Sequence, residues 1–372
     1  MANKVKYEEI YNALRNDLQQ LPDNTKLPPF TELCKRYGIS QATLCSALEL
    51  LEQDGLVKRI RKVGCFSVKN PVPKKPIKFT LLMPGEQDTL FVAFITACSH
   101  FCNQHRIQLQ FEFSGLDAEL EYKALESVLA DDECDGLLYM PLYPTFPREK
   151  VMNSARLLNK IVQKKPVVQF DRQLPGELSD FIGYDNFQAY CELLTHLKEL
   201  GHRKIGLICS ESDIAGEPPP RVRDFLNAMD VLDLELSPAH RITYDVFSAN
   251  HSANALDILK SPDCPTAFVG VNAVFIRQFL QTAEAAGKRI PEDISLCCYD
   301  LNTTLNLYPL KPTYYNEPAR EVIVKAAQLL LNQVTGKRTP RSAIRLPGTL
   351  IIGDTTAACP KKRKNSTENP KR

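Results

Sequence analysis

Ser40, Gln41, Thr43 and Ser46 crowd hydrogen-bonding side chains into one short stretch, and Lys58, Arg59, Arg61 and Lys62 follow as a run of cations. The first set suits the reading of base edges and phosphates. Hydroxyls bond either, and a glutamine amide meets an adenine edge with one donor and one acceptor. The second set suits phosphate neutralisation, in which each cation displaces condensed counterions from a duplex. The competing interpretation is a small helical domain whose basic hairpin is merely solvated.

Such groups read DNA only when rigid elements present them. Ile10, Leu14, Leu18 and Leu21 recur at helical spacing and predict a first amphipathic helix. Lys26-Leu27-Pro28-Pro29 breaks it, and Thr31 to Tyr37 predicts a short second helix. Gly38 stops that helix and Ser40 can cap a third, on which Leu44, Ala47, Leu48 and Leu51 share one face. Gly55 ends it, and short strands at 56–60 and 65–68 flank the basic turn. Helix, glycine turn, helix and hairpin make a winged helix-turn-helix plan, with the polar face of the last helix turned to the major groove.

Asn70-Pro71-Val72-Pro73-Lys74-Lys75-Pro76 then forms an extended, semi-rigid linker. Beyond it, apolar strand candidates at 77–83, 107–113, 136–140, 166–170, 204–209, 266–270 and 294–299 alternate with helical stretches at 91–105, 118–130, 187–200, 222–232 and 273–286. This alternation predicts parallel sheets with helices on both faces. The expected organisation is a reader domain over 1–69, a linker over 70–76, an α/β domain over 77–357, and a basic, disordered tail over 358–372. The tail's Pro360-Lys361-Lys362-Arg363-Lys364 resembles an import signal, but a solvated terminus is the simpler interpretation.

Net charge is only +2 over 372 residues, so affinity for nucleic acid must come from local charge placement. No apolar run reaches the length of a membrane span and the N-terminus lacks a signal peptide's apolar core, so a cytoplasmic protein is expected. The 12 cysteines are scattered, several within apolar runs (Cys98, Cys209, Cys297, Cys298), as expected of reduced thiols packed as small hydrophobes. Cys98 and Cys102 can share a helix face, yet no second pair stands at zinc-finger spacing, so no metal is expected. Met83-Pro84-Gly85-Glu86-Gln87-Asp88 is no dinucleotide turn, and Walker, Gly-x-Ser-x-Gly and His-Glu-x-x-His motifs are missing. Neither catalysis nor a cofactor is expected.

Residues 7–68 resemble the GntR-family winged helix domain. The resemblance rests on Tyr7-Glu8-Glu9-Ile10, Lys26-Leu27-Pro28-Pro29, Glu32 through Ser40, Thr43-Leu44, Ala47-Leu48, Leu51 through Val57, and Gly64 through Val68. It implies DNA contacts at position 31 and along the third helix. Family arginines are replaced by Thr31, Gln41 and Cys45, and Lys62 stands where the wing has a glycine. Fewer bidentate guanine contacts follow, which shifts affinity toward the wing.

Residues 77–357 resemble the effector domain of the LacI/GalR family, related to periplasmic sugar-binding proteins. Asp135-Gly136-Leu137-Leu138, Asp171-Arg172, Gly183-Tyr184-Asp185-Asn186, Leu200 through Ile205, Arg221, Pro265 through Phe268, Pro291 through Ser295 and Tyr299-Asp300 carry it. The pairing of the two resembles the arabinose-repressor hybrid class. It implies a multidomain protein: a small winged helix-turn-helix followed by a two-lobed α/β periplasmic-binding-protein-like domain with the ligand between the lobes. By the resemblance Gln87, Asp88, Phe91, Arg221, Asn272 and Asp300 contact that ligand. Arg221 is otherwise a surface salt bridge, Asp300 a turn cap and Phe91 simple core. Asp171 and Arg172 can instead form an inter-lobe pair. An aspartate usual after Asn272 is Ala273 here, which departs from the ordinary sugar pose.

These readings imply a homodimeric repressor that binds a double-stranded DNA operator under control of a small sugar-like effector, with no membrane partner. The alternatives are an effector-binding protein with degenerate DNA binding and a plain solute-binding protein.

Overall fold

Three helices and a hairpin form where the N-terminal spacing predicts them. The computed structural model describes residues 2–60, 63–69, 75–85, 89–142, 148–176, 179–210, 218–244, 254–300, 311–337 and 340–360. Their contacts separate into two units: residues 1–77 with 103–108, and residues 78–102 with 109–372.

The first unit contains α1 (Ala2–Gln20), α2 (Phe30–Tyr37), α3 (Gln41–Gln53) and the antiparallel pair β1 (Val57–Ile60) and β2 (Gly64–Ser67). Leu14, Leu33, Leu44, Leu48 and Leu51 meet in its core. Gly38 ends α2 in the left-handed conformation, φ 62°, which costs a glycine little. The Tyr37 hydroxyl donates to Asp17 at 2.5 Å and ties α2 to α1. Gly64, φ 138°, opens β2; a Cβ there would stand 2.9 Å from Lys26 Cε.

The second unit has two lobes, each with a six-stranded sheet. The first sheet has the order β13-β7-β6-β5-β3-β4, from β3 (Lys78–Met83), β4 (Gln108–Phe113), β5 (Gly136–Tyr139), β6 (Val167–Phe170), β7 (Asp180–Tyr184) and β13 (Ala343–Leu346). The second has the order β14-β12-β11-β10-β8-β9, from β8 (Ile205–Ser210), β9 (Arg241–Tyr244), β10 (Ala267–Gly270), β11 (Ser295–Cys298), β12 (Thr313–Asn316) and β14 (Thr349–Ile351). Strands β3, β5, β6, β7 and β13 run parallel, as do β9, β8, β10, β11 and β12, while β14 closes its edge antiparallel. Every residue of β5, β6, β8, β10 and β11 is buried, the mark of parallel strands covered on both faces.

Helices α4 (Thr89–Gln104), α5 (Ala118–Ala130), α7 (Asn186–Glu199) and α8 (Pro220–Val231) match the expected stretches. The stretch over 273–286 opens as a 3₁₀ turn, Ala273–Phe275, before α10 (Ile276–Ala285). Helices α6 (Arg148–Lys164), α9 (Ala255–Lys260) and α11 (Ala319–Val334), and strands β7, β9, β12, β13 and β14, were not among the expected elements. Helix α11 returns the chain to the first lobe and packs on β5, β6 and β7. It approaches so closely that a Cβ on Gly136 would stand 2.9 Å from a Leu330 methyl. The cysteines are free thiols. Among the described residues no helix is long and apolar enough to cross a membrane, and no cluster of ligating side chains could hold a metal.

Candidate functional site

The apolar stripe of α3 faces the core of the first unit, which leaves Gln41 and Ser46 exposed and Thr43 half-buried. Ser40 caps the helix by accepting from the Thr43 amide at 3.2 Å, and its Oγ also lies 2.9 Å from Thr43 Oγ1. Ser46 Oγ donates back to Ala42 O at 3.2 Å, which leaves its lone pairs outward. Thr31 is exposed on the first turn of α2, and Lys58 is exposed on β1.

Arg59 behaves differently from the exposed cation expected of it. Its Nη2 donates to Cys45 O at 3.0 Å, its backbone N–H donates to Glu52 Oε1 at 3.2 Å, and its guanidinium lies 3.7 Å from Glu52 and 3.9 Å from Glu49. The side chain is folded onto α3 because two glutamates and a carbonyl await it there. Arg61 and Lys62 lie outside the described residues.

In the second unit, four strand ends bring charge together. Arg221, one residue into α8, donates from Nη1 to Val271 O at 3.2 Å and to Asp300 Oδ2 at 3.1 Å, and from Nη2 to Glu317 Oε1 at 2.6 Å. Its guanidinium lies 4.4 Å from the centre of the Tyr299 ring. Asp300 follows β11 and accepts from the Ala273 amide at 2.7 Å. Glu317 follows β12 and its side chain is only 4% exposed, against 25% for Arg221. Asp171 follows β6 at φ 61°, a left-handed conformation rare for a residue with a Cβ. Its Oδ2 pairs with Arg172 Nε at 3.2 Å. Among the described residues Asp171 Oδ1 and the Tyr184 and Tyr190 hydroxyls are buried without a well-formed hydrogen bond, although the Tyr184 hydroxyl faces Asp171.

Desolvation dominates the electrostatics of this cluster. Burial pushes Glu317 up to about 8 against the pull of Arg221, and raises Asp171 against the pull of Arg172 and Arg221. Burial opposes the charge of Arg221, but Glu317 and Asp300 outweigh it and hold the guanidinium protonated. The arrangement is a built polar site at the carboxyl ends of parallel strands, where such sheets bind ligands.

Arg221 and Asp300 are therefore brought together, with Asn272 between Val271 and Ala273, the two residues whose backbones bond them. Arg221 is no surface salt bridge. Asp171 and Arg172 pair with each other at the end of β6. Phe91 is half-buried on the first turn of α4, and Gln87 and Asp88 lie outside the described residues. Ala273 is buried in the core beside Phe275 and Ile276, so this position contributes an amide to Asp300.

Residues 6–66 match the model of bacterial regulatory proteins of the gntR family, and residues 194–356 match a periplasmic binding protein-like domain. The chain therefore joins a gntR-family domain to a periplasmic binding protein-like domain. It is 27% identical over 354 residues to the arabinose metabolism transcriptional repressor of Halalkalibacterium halodurans, which covers 91% of this chain and 92% of that protein. It is 23% identical to the repressor of the same name from Geobacillus stearothermophilus, over 85% of this chain and 86% of that one. A LacI family regulator from Bifidobacterium animalis subsp. lactis shares the fold at TM-score 0.62 and 20% identity, over 76% of this chain and 98% of its own. A periplasmic binding protein/LacI regulator from Alkaliphilus metalliredigens, complexed with D-xylulofuranose, does so at 0.58 and 20%, over 75% and 98%.

Sequence reasoning missed Glu317, which the structure places against Arg221. It stands behind Thr313-Tyr314-Tyr315-Asn316, a strand with too little apolar continuity to announce itself. Its one signal was its place just before Pro318 and the long amphipathic α11.

Proposed function

We propose that the protein is a cytoplasmic repressor that binds a double-stranded DNA operator through α3 and the β1–β2 wing, under control of a sugar-like effector held around Arg221. The observation that carries this is the pairing, in one chain, of an exposed, capped polar helix with a desolvated charge cluster at strand ends. Relatives named for arabinose metabolism, and a fold neighbour complexed with D-xylulofuranose, support a carbohydrate effector. Asn272, Phe91, Gln87 and Asp88 complete the cleft in this reading. Thr31, Ser40, Gln41, Thr43 and Ser46 meet the bases and phosphates, and Lys58, Arg61 and Lys62 the phosphates.

A homodimer fits a two-fold operator. Its support is the edge strand β4, where Phe111 and Phe113 stack with centroids 6.1 Å apart and remain 37% and 43% exposed. Monomers in light scattering, with half-sites bound as tightly as full sites, would refute it.

A weaker, sequence-tolerant DNA binder is the second reading. It is favoured by an α3 that has Glu49 and Glu52 and no lysine or arginine. Selection of DNA from a random pool by the purified full chain, followed by gel shift with and without pentoses and hexoses, separates the two. A recovered consensus released by one sugar supports regulation. A pool that stays random supports the second reading.

A further inference from the structure

Residues 103–108 join α4 to β4, yet by contact they belong with the reader over 1–77. Gln108 donates its amide to Ile77 O at 2.8 Å, which fixes one end of this turn at the close of the linker. Arg106 stands within it at φ 53°, a left-handed conformation that is costly for a residue with a Cβ. A glycine or asparagine would close the turn more cheaply, so the side chain, not the bend, is what calls for explanation. Arg106 Nη1 donates to Asp54 Oδ2, and to the Tyr11 hydroxyl at 3.4 Å. The guanidinium carbon lies 4.5 Å from the centre of the Tyr11 ring. The Tyr11 hydroxyl donates to the same Asp54 oxygen. Tyr11 is buried in the reader's core with Leu14, Leu44 and Leu48. Asp54 is the residue that ends α3, its amide donating to Leu50 O at 2.9 Å. A lone ion pair this close to solvent contributes little. Here the cation also lies over a buried ring whose hydroxyl shares its carboxylate, so the three groups form one network.

We propose that Arg106 is a positioning residue that carries effector binding to the reading helix, by holding the end of α3 through Asp54 and Tyr11. This rests on the effector and operator reading above and adds the route between the two sites. Helix α4 supplies that route. It is one unbroken helix of 16 residues, about 24 Å long at about 1.5 Å per residue. Phe91, of the proposed effector set, stands in its first turn, and the turn that contains Arg106 follows its last. A ligand alters DNA affinity only if some contact differs between two states of the protein. The Arg106 contact can differ in this way. Docked, it fixes the end of α3; released, it leaves Asp54 to Tyr11 alone.

The test is hydrogen exchange read by mass spectrometry on the full chain, alone and with double-stranded DNA from the random-pool selection, or a mixed-sequence duplex if no consensus emerges. Arabinose, xylose, ribose and galactose are the effector probes. Arg106→Asn removes the cation but keeps a residue that tolerates the left-handed turn, so the fold should survive. The backbone amides over 103–108 should exchange about tenfold faster in this variant than in the wild type. DNA binding should slow their exchange in the wild type and not in the variant, because coupling is reciprocal. A sugar that binds the wild type should bind Arg106→Asn at the same concentration and lose its effect on DNA affinity. Arg106→Lys should recover most of the protection, since a single nitrogen, Nη1, makes both polar contacts. Wild-type exchange of the turn in Arg106→Asn, or an undiminished effect of the sugar on its DNA affinity, overturns the proposal. Exchange as fast in Arg106→Lys as in Arg106→Asn also overturns it, by placing the hold in the shape of the turn. If the wild type itself binds no sugar, the effector reading falls, and the exchange of the turn with and without DNA alone decides whether Arg106 positions α3.

Discussion

Helix α3 and the charge cluster around Arg221, the two places proposed to hold polar partners, use charge in opposite ways. Helix α3 presents hydroxyls and an amide on its exposed face, and its acidic residues are turned toward Arg59. The cleft packs Arg221 among Asp300, Glu317 and a tyrosine ring. Solvent explains the contrast. A DNA-reading face must be hydrated when empty, so it gains from groups that cost little to expose. Buried charges need partners held by the fold, and a cleft lined by rigid strands supplies them.

The two arginines sharpen this lesson. Arg59 and Arg221 each lie beside two carboxylates, yet only Arg221 makes direct ion-pair hydrogen bonds to both of its own. The largest expected effect is therefore Arg221→Ala. It leaves Asp300 without its cation and Glu317 Oε1 without its donor, and breaking a buried pair in this way costs about 3–5 kcal/mol. Chemical denaturation of the full chain should show that loss in the second unit, together with loss of the response to effector. A change below about 1 kcal/mol would mean that protonation or water satisfies the carboxylates instead.

On the DNA side the matching change is Gln41→Ala. A lost bidentate contact to adenine costs about 1–3 kcal/mol on the preferred operator and little on random DNA. Competition binding with both DNAs checks this. Equal losses on the two would place Gln41 on the phosphate backbone. The helix should survive, since its cap is Ser40.

Much of this contrast was legible in the residues. Buried parallel strands are continuous apolar runs, so β3, β5, β6, β8, β10 and β11 stood out. The edge strand β4 was found as well, but β7, β9, β12, β13 and β14 were not. Ala343-Ile344-Arg345-Leu346 alternates exposed with half-buried positions and is too short to separate from loop. Arg221 and Asp300 were found through resemblance, because no periodicity marks a cleft residue. Arg59 was read as a phosphate contact because a run of cations shows charge but not the glutamates one helix away. Glu49 and Glu52 lie three residues apart on α3, and only the packing of β1 against that helix brings Arg59 between them.

The cleft also sets a pH dependence that α3 lacks. Glu317, surrounded by Arg221, Asp300, Asp171, Arg172, Tyr184 and Tyr299, holds its proton up to about 8, against an ordinary 4.5. Between those values the folded chain binds a proton that the unfolded chain has released, so stability falls as pH rises through the window. The melting point of the ligand-free protein should therefore drop from pH 7 to pH 8.5. Glu317→Gln should flatten that slope. Half-buried His105 and His196 and buried His202, all pushed below their ordinary range chiefly by desolvation, lower stability only below about pH 6.5 and leave this interval clear. An unchanged slope in the variant would assign the dependence to thiols such as Cys297, which burial raises far above its ordinary value.

The smallest effect divides two neighbours on one strand. Lys58 is exposed on β1, while Arg59 is 27% exposed and engaged with Cys45, Glu49 and Glu52. If Lys58 neutralises a phosphate, Lys58→Ala lowers the log–log salt slope of DNA binding by about one and weakens binding to all sequences alike. Arg59→Ala should leave that slope unchanged, because its charge is already met within the fold. It should instead lower the melting point of the reader, since Glu52 loses its partner and β1 loses its hold on α3. Arg59→Lys restores the charge but not the fork that reaches a carbonyl and two carboxylates together, so it should recover little of that stability. Titrations at several salt concentrations, with melting curves on the same variants, separate the two roles. A slope that falls by one on Arg59→Ala would show that the side chain swings from α3 to a phosphate when DNA arrives. The contrast between a solvated reading face and a self-neutralised cleft would then hold only for the unbound protein.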